Sequence, residues 1–363
     1  MTKESNNSSK PTIELLKRLS LAVGVSGYGR QNNIHEAITA ELTPYADRVE
    51  RDRMGSIVGI KEGEQQAAET GRRRKVMLAA HLDEIGAIVT KIDKGFLRFS
   101  QVGGLDDRIL MGQEVIVHGQ RDLPGIIGSI PPHLLPPDKP NNTVDIAEMH
   151  VDVGLPIRQV ERLVQIGDLI SFARTPTELL GGLLSAKAMD NRSSVAAMVI
   201  CLQELKKLRH QWDVYAVATA DEEWGSFVGA TTQAYAIRPD VAIVIDVTFA
   251  DVEEIEVKLN AGPVIALGPS NHPVLRERLV KICRDLELKY QSEMMPSGAG
   301  TDAYAIEISR EGVPTILLSI PSRYMHSPVE TIHPKDVERT GRLMAHFIAG
   351  LDESFVEELI PKT

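Results

Sequence analysis

The amino-acid sequence predicts an α/β fold: a mostly parallel β-sheet domain with an inserted small β-barrel-like domain. Two features support this prediction. Short apolar runs are separated by helix-like segments, which is the pattern of buried parallel strands joined by helices. After the first of these runs, short strand-like segments separated by glycine turns interrupt the pattern, as an inserted β domain would.

Four apolar runs are predicted to be buried strands of the sheet. Each run is brief, and a strand covered on both faces needs no alternation of apolar and polar residues. Sites in open α/β sheets form beyond the carboxyl ends of the strands, so we expect the chemistry at one rim of this sheet. The runs span residues 76–80, 214–218, 241–245 and 316–320.

Two segments carry helical periodicity. In the first, Ser193 or Ser194 is predicted to begin a helix, which places Asp190 just before its N-terminus at the same rim. Its apolar positions are Val195, Met198, Val199 and Leu202. The second segment is C-terminal, and its pattern suits a helix that packs on the sheet or at an interface. Its apolar positions are Val337, Met344, Phe347, Ile348 and Leu351.

The inserted domain is expected at residues 89–178, and residues 1–88 together with 179–363 form the domain built on the sheet. The segments GFLRFS, QEVIVHG and LPGIIGSI are typical of short strands separated by turns. A proline-rich loop follows at residues 131–142.

Polar side chains follow each predicted strand of the sheet. Each of them, like Asp190, also fits a structural role such as a helix cap, a core histidine or a turn residue. Their recurrence at equivalent ends of successive elements favours one shared site, and buried like charges are costly unless a cation lies among them. In chain order they are His81 and Asp83, Glu222 and Glu223, Asp246, and finally His326.

The donor types at this rim predict a pair of metal ions. Two histidines and three carboxylates form a mixed nitrogen and oxygen set that suits Zn²⁺, Co²⁺ or Mn²⁺. One catalytic zinc ion usually takes only three protein ligands and a water. Paired ions lie about 3.5–4 Å apart and usually share a bridging carboxylate, which fits the larger set better.

The composition and net charge of the chain disfavour some classes of binding partner. The net charge is −10, from 50 acidic and 40 basic residues, which disfavours nucleic acid as the main partner. The polar start of the chain has no signal-like apolar core, and the longest apolar run, residues 195–202, is far short of a membrane span. We therefore expect a cytoplasmic protein with no membrane partner. Cys201 and Cys283 are expected to be reduced core thiols.

Several ordered motifs resemble the M42 family of dinuclear metallo-aminopeptidases, which also carries glutamyl aminopeptidase, tetrahedral aminopeptidase and endoglucanase labels. The resemblance runs over residues 12–351 and implies a metal-dependent enzyme that hydrolyses N-terminal residues from short peptides. It implies zinc or cobalt as the two divalent ions, with manganese as a third option. The motifs are AHLDEIG, KAMDNR, DEEWG, AIVIDV, SGAGTDAYAI and GVPTILLSIPSRYMHSP.

The resemblance implies a role for each polar residue of the rim. Glu222 stays free as the general base. Asp83 accepts the imidazole N–H of His81 and fixes the tautomer of that ring. A cis peptide bond is implied between Asp190 and Asn191. The implied metal ligands are His81 and Asp246 for one ion, Glu223 and His326 for the other, and Asp190 for both.

The stretch SGAGTDAYAI, residues 297–306, is expected either to line the substrate cleft or to form a structural turn. Glycines such as Gly300 permit close approach of the backbone, and Asp302 offers a carboxylate that could orient the substrate. Asp221 and Trp224 depart from the usual family pattern beside the ligands. Both departures bear on the side-chain preference of the first pocket.

The resemblance also implies assembly, because the inserted β domain of this family mediates dimerisation and the dimers assemble into hollow dodecamers. Alternative activities are a deacylase or amidohydrolase acting on amino-acid derivatives, and an endoglucanase with two carboxylates and no metal. A non-enzymatic relative would be expected to have lost Glu222 or a ligand, and this sequence retains them.

Overall fold

The computed structural model describes residues 9–27, 32–64, 72–130, 144–253, 255–297 and 300–360. Within these ranges the chain forms a sheet of 11 strands and a closed antiparallel barrel. Helices pack against the apolar sheet, so the predicted α/β class with an inserted β-barrel is confirmed. The proline-rich segment at residues 131–142 lies outside the described residues.

Strands and helices are numbered in chain order. The sheet contains β1 (Arg48–Arg51), β2 (Ile57–Lys61), β3 (Lys75–His81), β10 (Thr177–Leu179), β11 (Leu183–Ala186), β12 (Asp213–Thr219), β13 (Val241–Phe249), β14 (Val264–Leu267), β15 (Gln291–Met294), β16 (Thr315–Arg323) and β17 (Glu330–Ile332). The barrel contains β4 (Gly86–Asp93), β5 (Phe96–Val102), β6 (Glu114–His118), β7 (Asp122–Gly128), β8 (His150–Asp152) and β9 (Leu169–Phe172). The helices are α1 (Lys10–Leu21), α2 (Ile34–Leu42), α3 (Asp107–Leu110), α4 (Ile157–Leu163), α5 (Met189–Leu205), α6 (Val228–Ile237), α7 (Pro273–Asp285), α8 (Asp302–Glu307), α9 (Pro334–Ala349) and α10 (Phe355–Glu358), with a short 3₁₀ turn at Ile146–Glu148.

The four predicted strands form the centre of the sheet. They lie in the order β12, β3, β13, β16, and each neighbouring pair is parallel. The register pairs Thr219 with His81 and Asp246 with Ser319, so the carboxyl ends lie at one rim. Strand β13 runs past the predicted end at residue 245, because its pairing with β16 continues to Phe249. Asp246 therefore lies inside a strand.

Helix α5 begins slightly earlier than predicted. Its first turn starts at Met189, but Asp190 and Asn191 have non-helical backbone angles, so the regular helix begins at Arg192. The hydroxyl of Ser193 donates to the carbonyl of Met189 at 2.6 Å instead of starting the helix. Asp190 therefore lies at the distorted start of the helix, where its non-helical backbone follows the rim of the sheet and not the helix axis.

The main core lies between the sheet and helices α1, α5, α7 and α9. The apolar face of α9 is buried here, which confirms that the C-terminal helix packs within the chain. Cys201 and Cys283 are buried free thiols of the same core. No described helix combines the length and the apolar character that crossing a lipid bilayer requires.

The barrel has its own apolar core and follows β3 after a short connection. Its strands run from Gly86 to Phe172, and their inward residues form a cluster that includes Phe99, Val117 and Val151. Barrel closure removes free strand edges. The division of the chain into domains at residues 89 and 178, and a dimerising role for the barrel, remain predictions.

Candidate metal centre

The carboxyl ends of the parallel strands bring the predicted ligands together. His81 is the last residue of β3, Asp246 lies in β13, and Asp190 reaches the rim from α5. The chain turns sharply beyond β12 and β16, where Asp221 and His326 have φ values of 58° and 60°. Two donor groups result, each with ligand atoms within 4.8 Å of one another: His81, Asp190 and Asp246, and then Asp190, Glu223 and His326.

Asp190 belongs to both groups, and its two carboxylate oxygens face different histidines. Its Oδ1 lies 3.0 Å from Nε2 of His81, and its Oδ2 lies 3.6 Å from Nε2 of His326. Asp246 Oδ1 is 3.8 Å from the first imidazole nitrogen, and Glu223 Oε2 is 3.5 Å from the second. Atoms that each lie about 2.0–2.2 Å from one ion stand roughly 3–4 Å apart. The peptide bond between Asp190 and Asn191 is cis, as the resemblance implies.

The electrostatics of the cluster fit a cation. Burial raises the pKa of Asp246 to about 8, and the charge of Asp190 adds to this effect. Burial and the charge of Asp190 also raise the pKa of Glu223 well above its usual value. Oε1 of Glu223 is buried and has no hydrogen-bond partner in the described part of the chain. Because these carboxylates resist ionisation together, positive charge placed among them would stabilise the whole group.

The surrounding acidic groups also shift the pKa of His81, in the direction that favours a positive charge on its imidazole. Burial alone would lower the pKa of its imidazole, but the charge of Glu222 and the hydrogen bond with Asp190 outweigh burial and raise the pKa well above its usual value. The cluster therefore attracts positive charge, and a metal ion would replace the proton on His81.

Glu222 belongs to neither donor group. Its Oε2 lies 3.9 Å from Nε2 of His81, and its side chain lines the cleft above the ligands. Burial raises the pKa of Glu222 to about 9, with Asp246 among the charges that add to the shift. This carboxylate lies beside the donor groups and is available for proton transfer.

Asp83 holds the backbone of the Glu222–Glu223 pair. Its carboxylate accepts the backbone N–H of Glu222 at 3.1 Å and that of Glu223 at 3.0 Å, and it accepts the hydroxyl of Ser26 at 2.5 Å. Nδ1 of His81 lies 3.6 Å from Oδ1 of Asp83 but only 3.2 Å from its backbone oxygen. The nearer of these two acceptors for Nδ1 is therefore the backbone oxygen of Asp83, whereas the Asp83 carboxylate mainly fixes the two glutamates.

Glu330 is a functional candidate that the sequence analysis missed. It is 1% exposed at the start of β17. Its Oε2 accepts the backbone N–H of Asp190 at 2.9 Å, and its Oε1 accepts the backbone N–H of His326 at 2.9 Å. One carboxylate therefore links the shared ligand to a ligand of the second group. The sequence places Glu330 four residues after His326 with no motif to distinguish it.

A buried ion network lies behind the ligands. Nζ of Lys187 is 2.9 Å and 2.7 Å from the two carboxylate oxygens of Glu84, and the Arg192 guanidinium lies 3.8 Å from the same carboxylate. Glu84 follows His81 by three residues, while Lys187 and Arg192 flank Asp190. The network therefore fixes the two segments that carry these ligands relative to each other. Its members lie in the quoted motifs, but no spacing rule identified them.

The ligands lie at the base of a cleft of about 570 Å³. Gly300 lines this cleft with a φ of 64°. The expectation that Asp302 contacts substrate is wrong in this structure, because Asp302 is 1% exposed and accepts the hydroxyl of Thr219 beneath the cleft. Burial raises the pKa of Asp302 to about 6. Asp221, which departs from the usual family pattern in the sequence, accepts the backbone N–H of Gly27 at 2.9 Å.

Known proteins share this sequence and architecture. A family model described as M42 glutamyl aminopeptidase matches residues 55–343. A lysyl aminopeptidase of Pyrococcus furiosus is 35% identical over 357 residues, which cover 96% of this chain and 97% of that protein.

Two solved structures extend the similarity to the fold. An aminopeptidase of the archaeon Desulfurococcus kamchatkensis superposes with a TM-score of 0.88 and 33% identity, covering 98% of this chain and 99% of that one. A TET1 peptidase of Pyrococcus horikoshii, described as assembling into a tetrahedron or a large octahedral shell, has a TM-score of 0.81 and 31% identity. The match covers 94% of this chain and 100% of that chain.

We expect Glu330→Gln to weaken the centre, because the amide group offers only one acceptor oxygen to two backbone N–H groups. An unpaired buried N–H costs about 1–3 kcal/mol, so the free energy of unfolding should fall by about this amount. Denaturant unfolding and metal content after dialysis against Zn²⁺ measure the effect. The same change at exposed Glu311 is the control. Unchanged stability and metal content in Glu330→Gln would remove Glu330 from the supporting role.

Proposed function

The chain belongs to the M42 family of peptide hydrolases, and from this premise we propose how it works as an aminopeptidase. The proposed reaction is the hydrolysis of N-terminal residues from short peptides, in which the carboxylate of Glu222 would transfer protons and the donor groups would hold two divalent metal ions. The observation that supports this most directly is the pair of donor groups joined by Asp190, with a further carboxylate beside them in an open cleft.

The ligand assignment follows the two donor groups. His81, Asp190 and Asp246 would hold one ion, and Asp190, Glu223 and His326 would hold the other. The mixed nitrogen and oxygen donors suit zinc or cobalt, with manganese as a further option. When bound, such ions polarise the scissile carbonyl and lower the pKa of water.

Glu222 is the proposed general base. Its carboxylate takes a proton from the attacking water and later delivers that proton to the leaving amine as the C–N bond breaks. The backbone N–H groups of Glu222 and Glu223 donate to the carboxylate of Asp83, which holds the base and its neighbouring ligand in fixed relative positions. Positive charge in the centre would favour the ionised form of Glu222 against the burial that raises its pKa to about 9.

We also propose that the chain self-associates, with the barrel as the dimerising element and a dodecamer as the final assembly. The TET1 relative described as forming closed shells supports this proposal. Light scattering coupled to size exclusion should give a mass near twelve times the 39.9 kDa of one chain. A mass of one chain across the micromolar range would contradict it.

The reaction is tested by metal-dependent release of N-terminal residues. Apo protein and protein reconstituted with Zn²⁺ or Co²⁺ are compared on aminoacyl p-nitroanilides, short peptides and N-acylated amino acids. We expect release from free N-termini only with metal, since the ions polarise the carbonyl. Cleavage of the N-acyl substrates alone would instead support the amidohydrolase alternative. Hydrolysis of a β-glucan that persists after chelation would support the metal-free endoglucanase alternative.

Two variants separate the base from the ligands. Glu222→Gln should keep both ions and lose about 10²–10⁴-fold in kcat, which is the usual contribution of a general base. His326→Ala should lose one ion, because this imidazole belongs to the second donor group only. Metal content by mass spectrometry and kcat are measured together, with Glu311→Gln as the control. Equal metal loss in both variants would contradict the assigned roles.

A further inference from the structure

The cleft contains a carboxylate that neither the donor groups nor the proposed base accounts for. Glu293 lies on β15, at the side of the sheet, and lines the same cleft as His81, Asp190 and Glu222. Its sequence neighbours gave no functional signal, and among the described strands β15 pairs with β14.

Thr248 holds the Glu293 side chain towards the metal centre. Its hydroxyl donates to Oε2 of Glu293 at 2.8 Å. Thr248 follows the ligand Asp246 by two residues in β13, so both side chains project from the same face of this strand. Two residues of a strand span roughly 7 Å, so Thr248, which binds the Glu293 carboxylate, lies about the length of one long side chain along β13 from Asp246.

The Glu293 carboxylate has spare capacity for a ligand. The Thr248 hydroxyl occupies one acceptor position, and a carboxylate offers about four. In the described ranges of the chain, no Lys, Arg or His forms an ion pair with Glu293. An ammonium or guanidinium group entering the cleft would therefore find an acceptor without breaking an existing ion pair.

The cleft that contains Glu293 also has apolar lining residues. Phe249 and Met294 are 48% and 66% exposed at its edge, and thioether side chains adapt to ligands of different shape. Lysine and arginine pack a flexible apolar stem along such surfaces while the charged tip stays paired. The apolar lining residues of this cleft include Val247, Phe249, Met294, Met295 and Leu317.

We propose that Glu293 is a specificity residue that selects peptides whose N-terminal residue is lysine or arginine. The side chain of that residue lies along the apolar wall and pairs with the Glu293 carboxylate, while the carboxylate repels acidic N-terminal residues. The inference rests on the proposed aminopeptidase activity, because it assigns the pocket for the residue that is released.

The wild-type enzyme loaded with Co²⁺ provides the first test, through pairs of p-nitroanilides that differ in charge and little in shape. We expect kcat/KM for lysine to exceed that for norleucine by roughly 10- to 100-fold, the range of a charge-assisted hydrogen bond. Glutamine should likewise exceed glutamate. A lysine to norleucine ratio near one would overturn the inference and leave the aminopeptidase activity standing, whereas no release from any substrate would overturn both.

Two variants locate the effect at Glu293. Glu293→Gln keeps an acceptor for Thr248 and removes the charge, so the lysine to norleucine ratio should fall towards one. Glu293→Lys should move the preference towards glutamate. The control Glu311→Gln, at an exposed residue outside the cleft, should keep the wild-type ratio.

The ratio also distinguishes Glu293 from a residue that binds the substrate α-ammonium group. In that case Glu293→Gln would lower kcat/KM for lysine and norleucine equally and leave their ratio intact, which would overturn the inference. If the variants fail to fold, the wild-type ratios on the paired substrates decide the question alone.

Discussion

The shared carboxylate of Asp190 is the constraint around which the rest of the site is organised. Its two oxygens lie 3.0 Å and 3.6 Å from the imidazoles of His81 and His326. Further carboxylates converge on the same point, and burial makes them resist ionisation together. Buried carboxylates of this kind ionise together only when positive charge lies among them, so the fold favours the binding of cations at this site.

The geometry around Asp190 is held by buried groups that bind no ion themselves. Glu330 accepts backbone N–H groups from both Asp190 and His326, and Asp83 does the same for the two adjacent glutamates. The Lys187–Glu84 pair joins the segment after His81 to the segment before Asp190. Supporting hydrogen bonds of this kind fix the orientation of ligands, and a site without them would be too loose to act.

The cleft separates two tasks along a single strand. Asp246 in β13 belongs to the first donor group, and Thr248, two residues later on the same face of the strand, donates to the Glu293 carboxylate. In the proposed mechanism, the reaction and the choice of substrate depend on neighbouring positions with different partners. A change at Glu293 would then alter which N-terminal residue is accepted without altering a proposed ligand. The same core can in this way serve relatives with different preferences.

The sequence by itself determined the four central strands and the chemistry at their ends, because buried parallel strands leave continuous apolar runs and metal ligands are distinctive residue types. It predicted His81, Asp190 and Glu223 as members of one site. The register of the parallel strands brings the ends of β3 and β12 to one rim, and the start of α5 brings Asp190 there. Only the tertiary structure identified Glu330 and Glu293 and removed Asp302 from the cleft. These are ordinary acidic residues whose roles depend on contacts with residues that are distant in the sequence. The spacing of residues along the chain does not indicate which of these contacts form.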